Sequence, residues 1–285
     1  MQVKGKVFFD GFDRKPRLSH PEGVAVHRDG SVWCGSEDGS IFRIEADGSS
    51  AKVVAKIEEF VLGIAFDNDG KLFVCGLGPG AVYEIDTING TSKRLLRDGD
   101  GPELPNYLVV DEKYNRLLVT DSQRLDNPKP SIWEISLSNR EARPWLEQPL
   151  DFANGLALQR SSSALFVAVS WDRTIRKIDV LEDGSPGSVE IWCQELPGIP
   201  DGLALAGDFI LVGMYEPSMI LQIDKNGVKS TYFSDETAHL MCHPTNLAFR
   251  GNQIFTANLG RWHITKLETD FDGPASSFPA DMVGT

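Results

Sequence analysis

Residues 201–224 read DGLALAGDFILVGMYEPSMILQID, and this stretch decides the fold. It contains a short apolar strand, a turn rich in Gly and Asp, a second apolar strand, a loop and a third strand. The same order recurs in five further units, which begin near residues 22, 62, 106, 154 and 245. Successive units begin 40 to 48 residues apart, which is the period of a β-propeller blade made of four antiparallel strands.

The polar segments between units can supply the outer strand of each blade, for example KVVAKI at 52–57 and KSTYFS at 229–234. The early run VKGKVFF at 3–9 belongs to no complete unit, and we predict that it forms the outer strand of the sixth blade. That pairing would hide the open edges of the first and last blades. The sequence therefore predicts an all-β fold, a six-bladed β-propeller closed by an N-terminal strand, as one domain over residues 1–285.

Composition excludes several classes of partner. The net charge of −13 argues against nucleic acid and anionic membranes, because both are bound by basic patches. No segment has the roughly 20 apolar residues of a membrane span, and the N-terminus lacks the apolar core of a signal peptide. The four cysteines are far apart and form no CxxC motif. We expect free thiols in a cytoplasmic protein that is a monomer or homodimer and acts on a small molecule.

One position before the first strand of every unit defines a ring of six side chains, which we call the slot residues. They are Glu22, Leu62, Asn106, Asn154, Asp201 and Thr245. Because the inner strands of a propeller all begin at one end of the central channel, we expect these side chains to converge. Two carboxylates and two carboxamides together favour a hard divalent cation, with Ca²⁺ first, Mg²⁺ or Mn²⁺ next, and Zn²⁺ still open. Asp or Asn before Gly is also a common turn residue, so the argument depends on the joint pattern.

The second strand of each blade should end beside the slot, because it runs antiparallel to the first. Trp171 and Tyr215 lie at two such ends, and we predict that they contact the substrate; packing on a neighbouring loop is the alternative for both. Asp121 lies at a third end, where it would contact the substrate, as a second acid or as a support for the residues around the site, or cap a turn.

The blade starts HPEGVAV, LPNYLVVD, FANGLAL, IPDGLAL and HPTNLAF resemble those of the SMP-30/gluconolactonase/LRE-like family. The resemblance covers nearly the whole chain. It implies a six-bladed propeller with one divalent metal in the channel, and hydrolysis of lactones or, in relatives, organophosphates. It implies that Glu22, Asn154 and Asp201 are metal ligands, that Asp201 is the general base, and that Asn106 binds substrate or metal. Thr245 matches a threonine that is common at this position of the family.

Two positions depart from the family pattern. Leu104 stands where sugar-lactonase members have a substrate-binding Arg, and Tyr107 stands where an acid is frequent. Both changes predict a pocket that accepts a less polar ester or lactone, with Asn106, Leu104 and Tyr107 among its contacts.

The sequence thus predicts a metal-dependent lactonase in which Asp201 acts as the base. Three alternatives stay open. The same metal could serve phosphoester hydrolysis or isomerisation, the propeller could be a metal-free relative of strictosidine synthase, or it could be a binding scaffold whose metal only stabilises the ring.

Overall fold

A computed structural model describes residues 3–97, 99–161 and 163–269. It confirms the predicted architecture: six four-stranded antiparallel sheets, each of which forms one blade. Within each blade the strands follow one another in chain order from the centre outward, except that the last blade takes its outer strand from the N-terminus. The end of the chain beyond residue 269, which the single-domain prediction included, lies outside the described residues.

The strands fall into four rings around the channel. The inner strands are β2 (Val24–Val26), β6 (Val61–Phe66), β10 (Pro105–Asp111), β14 (Ala153–Gln159), β18 (Ile199–Ala206) and β22 (Pro244–Arg250). The second strands are β3 (Val32–Gly35), β7 (Leu72–Gly76), β11 (Arg116–Asp121), β15 (Ala164–Val169), β19 (Phe209–Glu216) and β23 (Gln253–Asn258). The third strands are β4 (Ser40–Ile44), β8 (Val82–Ile85), β12 (Ile132–Ser136), β16 (Thr174–Val180), β20 (Met219–Asp224) and β24 (His263–Glu268). The outer strands are β5 (Ala51–Lys56), β9 (Ser92–Arg94), β13 (Ala142–Leu146), β17 (Pro186–Cys193), β21 (Lys229–Ser234) and β1 (Lys4–Asp10).

The ring closes as predicted through β1, which pairs antiparallel with β24 from Lys4↔Glu268 to Asp10↔His263. The pairing supplies a partner for the outer edge of the sixth blade. Because the first and last parts of the described chain share one sheet, the blades form a closed ring without an open end.

The core lies between neighbouring blades, where second and third strands bury Val, Ile, Leu and Phe on both faces. One buried ion network is built into it: the Arg116 guanidinium contacts the Asp111 carboxylate at 2.9 Å and the Glu134 carboxylate at 2.7 Å. The four cysteines are free thiols, three of them buried.

Among the described residues, no helix has the length and apolar character needed to span a membrane. A cytoplasmic location and a monomeric or homodimeric state stay predictions.

Candidate functional site at the channel entrance

The slot residues lie at an irregularity that recurs in the inner strands. In blades two to six the pairing with the second strand breaks around the slot, for example between Pro105 and Leu108 and between Pro200 and Leu203. Five slot residues therefore lie inside their strand, at its second or third position, and only Glu22 precedes its strand as the sequence predicted. A bulge of this kind re-aims a side chain out of the ladder.

The inner strands of the six blades start at equivalent positions, and this brings the slot side chains together in a buried ring. All six are between 0% and 7% exposed. Glycines follow most of them, because the next inner strand passes very close. A Cβ at Gly155 would lie 2.4 Å from the Asp201 carbonyl oxygen, and one at Gly202 would lie 2.6 Å from that of Thr245. Only glycine fits such an approach without a shift of the backbone.

Beneath the slot the channel is apolar. The residues two positions further along each inner strand are buried hydrophobic side chains, which we call the floor: Val24, Ile64, Leu108, Leu156, Leu203 and Leu247. A cavity of about 330 Å³ opens below the slot, and five of these six residues line it together with Tyr107. Glu22 and Asp201 therefore lie directly above apolar side chains, which cannot solvate a charged carboxylate.

The electrostatics of the two slot acids reflect this setting. Burial raises the pKa of Asp201 from 3.8 to about 7, and a hydrogen bond from the Asn154 side chain acts against that rise. Burial, and then the Asp201 charge, raise the pKa of Glu22 well above its ordinary value. The effect of Asp201 on Glu22 indicates that blades one and five bring these two carboxyl groups close enough to repel each other.

Three slot oxygens are buried without a hydrogen-bond partner: the Oδ1 atoms of Asn106, Asn154 and Asp201. Each such atom costs about 1–3 kcal/mol unless something satisfies it. Carboxylate and carboxamide oxygens are the donors that hard cations take. Within the described ranges, no three His, Cys, Asp or Glu side chains form a metal-binding cluster. A cation here would therefore need the two carboxamide oxygens beside Glu22 and Asp201, and the unpartnered atoms fit that requirement.

Side-chain hydrogen bonds to backbone carbonyl groups position the main chain at the two slot acids. The Ser170 hydroxyl donates to the Pro200 carbonyl at 2.8 Å and accepts from Asn154 Nδ2 at 3.2 Å. Thr245 Oγ1 and Asn246 Nδ2 both donate to the Glu22 carbonyl, at 2.6 Å and 3.0 Å. Sequence reasoning gave none of these residues a positioning role. The sequence feature that could have indicated this positioning role is a hydroxyl side chain at the end of the second strand, as at Ser170 and Ser122.

Two positions before each slot residue lies a further ring, which we call the collar. It consists of His20, Phe60, Leu104, Phe152, Ile199 and His243, and all six are half-buried. The two histidines hold matching places in adjacent blades. His20 Nδ1 lies 2.7 Å from the Leu259 carbonyl oxygen, and His243 Nδ1 lies 2.8 Å from that of Tyr215. An Nδ1 that donates to a carbonyl leaves Nε2 as the acceptor nitrogen of each neutral ring.

Asp121 has the capping role that the sequence left open. Its two carboxylate oxygens accept hydrogen bonds from the backbone N–H groups of Glu103 and Leu104, both at 2.9 Å. Burial raises the pKa of Asp121, while these two bonds lower it. The carboxylate thus positions the collar residue Leu104; direct contact with substrate stays a prediction.

Tyr107 is buried rather than exposed at the entrance. Its ring lies against Gly63, and it lines the apolar channel. Burial and then the Asp201 charge raise the pKa of Tyr107 to about 12, which places its side chain within electrostatic reach of the slot. A substrate contact at Tyr107 stays a prediction.

Trp171 and Tyr215 lie near the collar in different surroundings. The Trp171 ring is 48% exposed, packs edge-on against Phe152 with centroids 6.3 Å apart, and lies under the Arg124 guanidinium. Tyr215 stacks on His243 with centroids 4.5 Å apart. Burial, followed by the charges of Asp201 and Glu22, raises the pKa of Tyr215. The structure brings Tyr215 toward the slot acids and puts Trp171 at the outer rim; neither arrangement tests a substrate contact.

Comparison with known proteins identifies the family. A family model described as SMP-30/Gluconolactonase/LRE-like region matches residues 103–257, and one described as Strictosidine synthase-like, N-terminal matches residues 15–44. Protein STRICTOSIDINE SYNTHASE-LIKE 6 of Arabidopsis thaliana is 25% identical over 308 aligned positions, covering 88% of this chain and 79% of that protein. Lactonase drp35 of Staphylococcus saprophyticus is 25% identical over 218 positions, covering 72% and 67%. The structure of XC5397, a gluconolactonase from Xanthomonas campestris, superposes with a TM-score of 0.77 at 17% identity, covering 93% and 89% of the two chains, and shows the shared fold. The first family model spans more than half of the chain, which therefore belongs to the SMP-30/gluconolactonase/LRE-like family.

Proposed function

We propose that the protein hydrolyses a lactone with the help of one divalent cation, Ca²⁺ first among Ca²⁺, Mg²⁺, Mn²⁺ and Zn²⁺. The residues that would hold the cation are Glu22, Asn106, Asn154 and Asp201. The observation that carries the proposal is the group of three unpartnered, buried slot oxygens beside a second buried acid. Membership of the family and the lactonase among the relatives support the choice of substrate class.

When bound, the cation would supply Lewis-acid polarisation of the ester carbonyl. The rest of the chemistry belongs to the chain. Asp201 accepts a proton from water as the water oxygen bonds to the carbonyl carbon. The ring C–O bond then breaks, the proton passes to the departing ring oxygen, and the product is a hydroxy acid. Ser170 holds Asp201 in place through the Pro200 carbonyl.

The substrate that we propose is less polar than a simple sugar lactone. The collar offers mainly apolar side chains, and Leu104 stands where an Arg would contact sugar hydroxyls in the resembling sugar lactonases. The floor below the slot is apolar throughout. A ligand with many hydroxyl groups would lose hydrogen bonds to water here without replacing them.

Metal titration of chelator-treated protein tests the proposal. Thermal unfolding would be followed with each of the four cations, and acid release from a lactone panel would be read on the same samples. A cation that binds the native state must raise its stability. We expect one cation to raise the melting temperature and start acid release together, and Asp201→Asn to lose both. Acid release that is unaffected by chelation would refute the metal-dependent mechanism.

The strictosidine synthase-like relatives support a second candidate, a metal-free reaction on the same scaffold. Lack of any cation-induced stabilisation, in the parent and in Asp201→Asn alike, would favour it. Phosphoester cleavage with the same metal remains a variant of the first proposal, and a phosphotriester included in the panel separates it from lactone hydrolysis.

A further inference from the structure

The channel entrance is divided into two chemically unlike halves. Over blades two to four lie three apolar collar residues and three apolar side chains that follow the second strands; we call this set the apolar half. Its members are Phe60, Leu77, Leu104, Leu125, Phe152 and Trp171. Over blades five, six and one the corresponding positions are mostly polar, and we call them the polar half. Its polar members are His20, Glu37, Tyr215, Glu216, His243 and Asn258, and its two apolar exceptions are Ile199 and Trp262, which packs against His20.

Two pairs of residues within the apolar half are in direct contact. The Leu77 amide donates to the Phe60 carbonyl at 2.9 Å, and the Phe152 and Trp171 rings are in edge contact. Leu77, Leu125 and Trp171 are 48–50% exposed. Exposed apolar groups that border a buried polar centre are the usual lining of a small-molecule pocket.

The polar half is built from ionisable pairs. His243 Nδ1 lies 3.2 Å from a Glu216 carboxylate oxygen, and His20 Nε2 lies 3.8 Å from one of Glu37. Two acids at this edge, in a chain of net charge −13, disfavour the approach of an extended apolar group. They would also repel an anionic product.

We propose that the substrate is a lactone that carries an extended apolar substituent, which lies over the apolar half while its ester group reaches the slot. This inference rests on the proposed function and names its substrate class. Each collar residue precedes its slot residue by two positions at the start of an inner strand, so one small molecule can touch both. The acidic polar half would exclude the substituent from the opposite direction and so orient the ring.

A series of γ-lactones with no side chain or with ethyl, butyl, hexyl and octyl side chains tests the inference, with all of them kept below their aggregation limits. Burial of one methylene stabilises by about 0.8 kcal/mol, and half of that applies to a half-exposed surface. We therefore expect kcat/KM to rise about twofold per added methylene until the apolar half is covered. Leu77→Ser and Trp171→Ala should each lower the ratio of octyl to unsubstituted rates by about fivefold or more.

Ile88→Ser is the matched control, because Ile88 is 95% exposed on the turn between β8 and β9, at the end of the blade away from the entrance. Binding of the matching alkyl lactams, which resist hydrolysis, is measured by calorimetry. This measurement tests the apolar subsite independently of the proposed lactone hydrolysis. If no lactone is hydrolysed but lactam affinity still rises with chain length, the proposed function fails and the apolar subsite stands. A flat chain-length profile in both measurements, or a preference that Leu77→Ser and Trp171→Ala leave intact, overturns the inference.

Discussion

Replacement of Asp201 by Asn should stabilise the metal-free protein above neutral pH, although it removes the proposed base. Burial raises the pKa of Asp201 from 3.8 to about 7. Between these values the folded state holds a proton that the unfolded chain has released. The unfolded state therefore binds fewer protons, and stability falls as the pH rises from about 4 to about 7. Below that window the penalty is absent, and above it the penalty is complete.

A pKa that burial raises from 3.8 to about 7 corresponds to a cost of about 4 kcal/mol for the ionised, folded state. With the entropy of unfolding typical of a chain of this length, that equals roughly 7 °C in melting temperature. An Asn carries no charge at any pH, so it escapes the penalty. It also removes the charge that helps to raise the pKa of Glu22, and this effect acts in the same direction.

Differential scanning calorimetry of chelated protein between pH 4.5 and pH 8.5 measures the effect. The melting temperature of Asp201→Asn should exceed that of the parent most at high pH, and the two curves should converge toward pH 4.5. Asp126→Asn, at an exposed aspartate, should follow the parent curve throughout. With the activating cation the order reverses, because only the parent gains stability from it.

A lower melting temperature for Asp201→Asn than for the parent at pH 8, without metal, would refute this reasoning. It would mean that the carboxylate is already paired in the metal-free protein. A stability gap that does not change with pH would show that the substitution acts through packing and not through the buried charge.

Three further substitutions give shorter tests. Ser170→Ala removes the hydroxyl that holds the Asp201 strand, and it should weaken metal affinity about tenfold, as measured by calorimetry. Leu104→Arg should raise the rate on a hydroxylated lactone relative to an apolar one; an unchanged ratio of the two rates would count against the collar as a specificity element. Arg116→Met leaves the buried Asp111 carboxylate without its cation, while Glu134 keeps Arg143; it should cost about 3–5 kcal/mol of stability in denaturant unfolding, and a cost below 1 kcal/mol would show that the network is solvated.

Most of the fold could be predicted because each blade repeats the same alternation of strands and turns. The stretch 201–224 contains three strands and two turns, and its pattern returns at a nearly constant spacing. The ring closure by residues 3–9 also followed, because no other partner was left for that run. The strand starts were less accurate: Asn106 and Asp201 lie inside their strands, because a bulge leaves no mark in composition.

The site was predictable only as a ring of positions. Equal spacing predicted Glu22, Asn154 and Asp201 at one end of the channel. The Asp201 charge raises the pKa of Glu22, and an Asn154 hydrogen bond acts on the pKa of Asp201, so the three side chains lie near one another. Side-chain partners could not be predicted. Asp121 is engaged by two backbone amides of its own blade, and this contact depends on the path of a loop. The hydrogen bonds from Thr245 and Asn246 to Glu22 join residues more than 220 positions apart.

The floor, the slot and the collar lie at three depths of the channel, and each has a different role. This arrangement is relevant to how members of the family can differ in chemistry. The floor lowers the local polarity and makes an unpaired slot acid costly. The slot then keeps Glu22 and Asp201 only if something compensates their charge, so their presence together is the feature that favours a cation over a metal-free reaction. The collar is half-buried and lies outside that constraint, so its side chains can change without cost to the slot. Relatives that share the backbone but act on different molecules are the expected result of such a design. Substrate identity in this protein should therefore be sought in the collar, and reaction type in the slot.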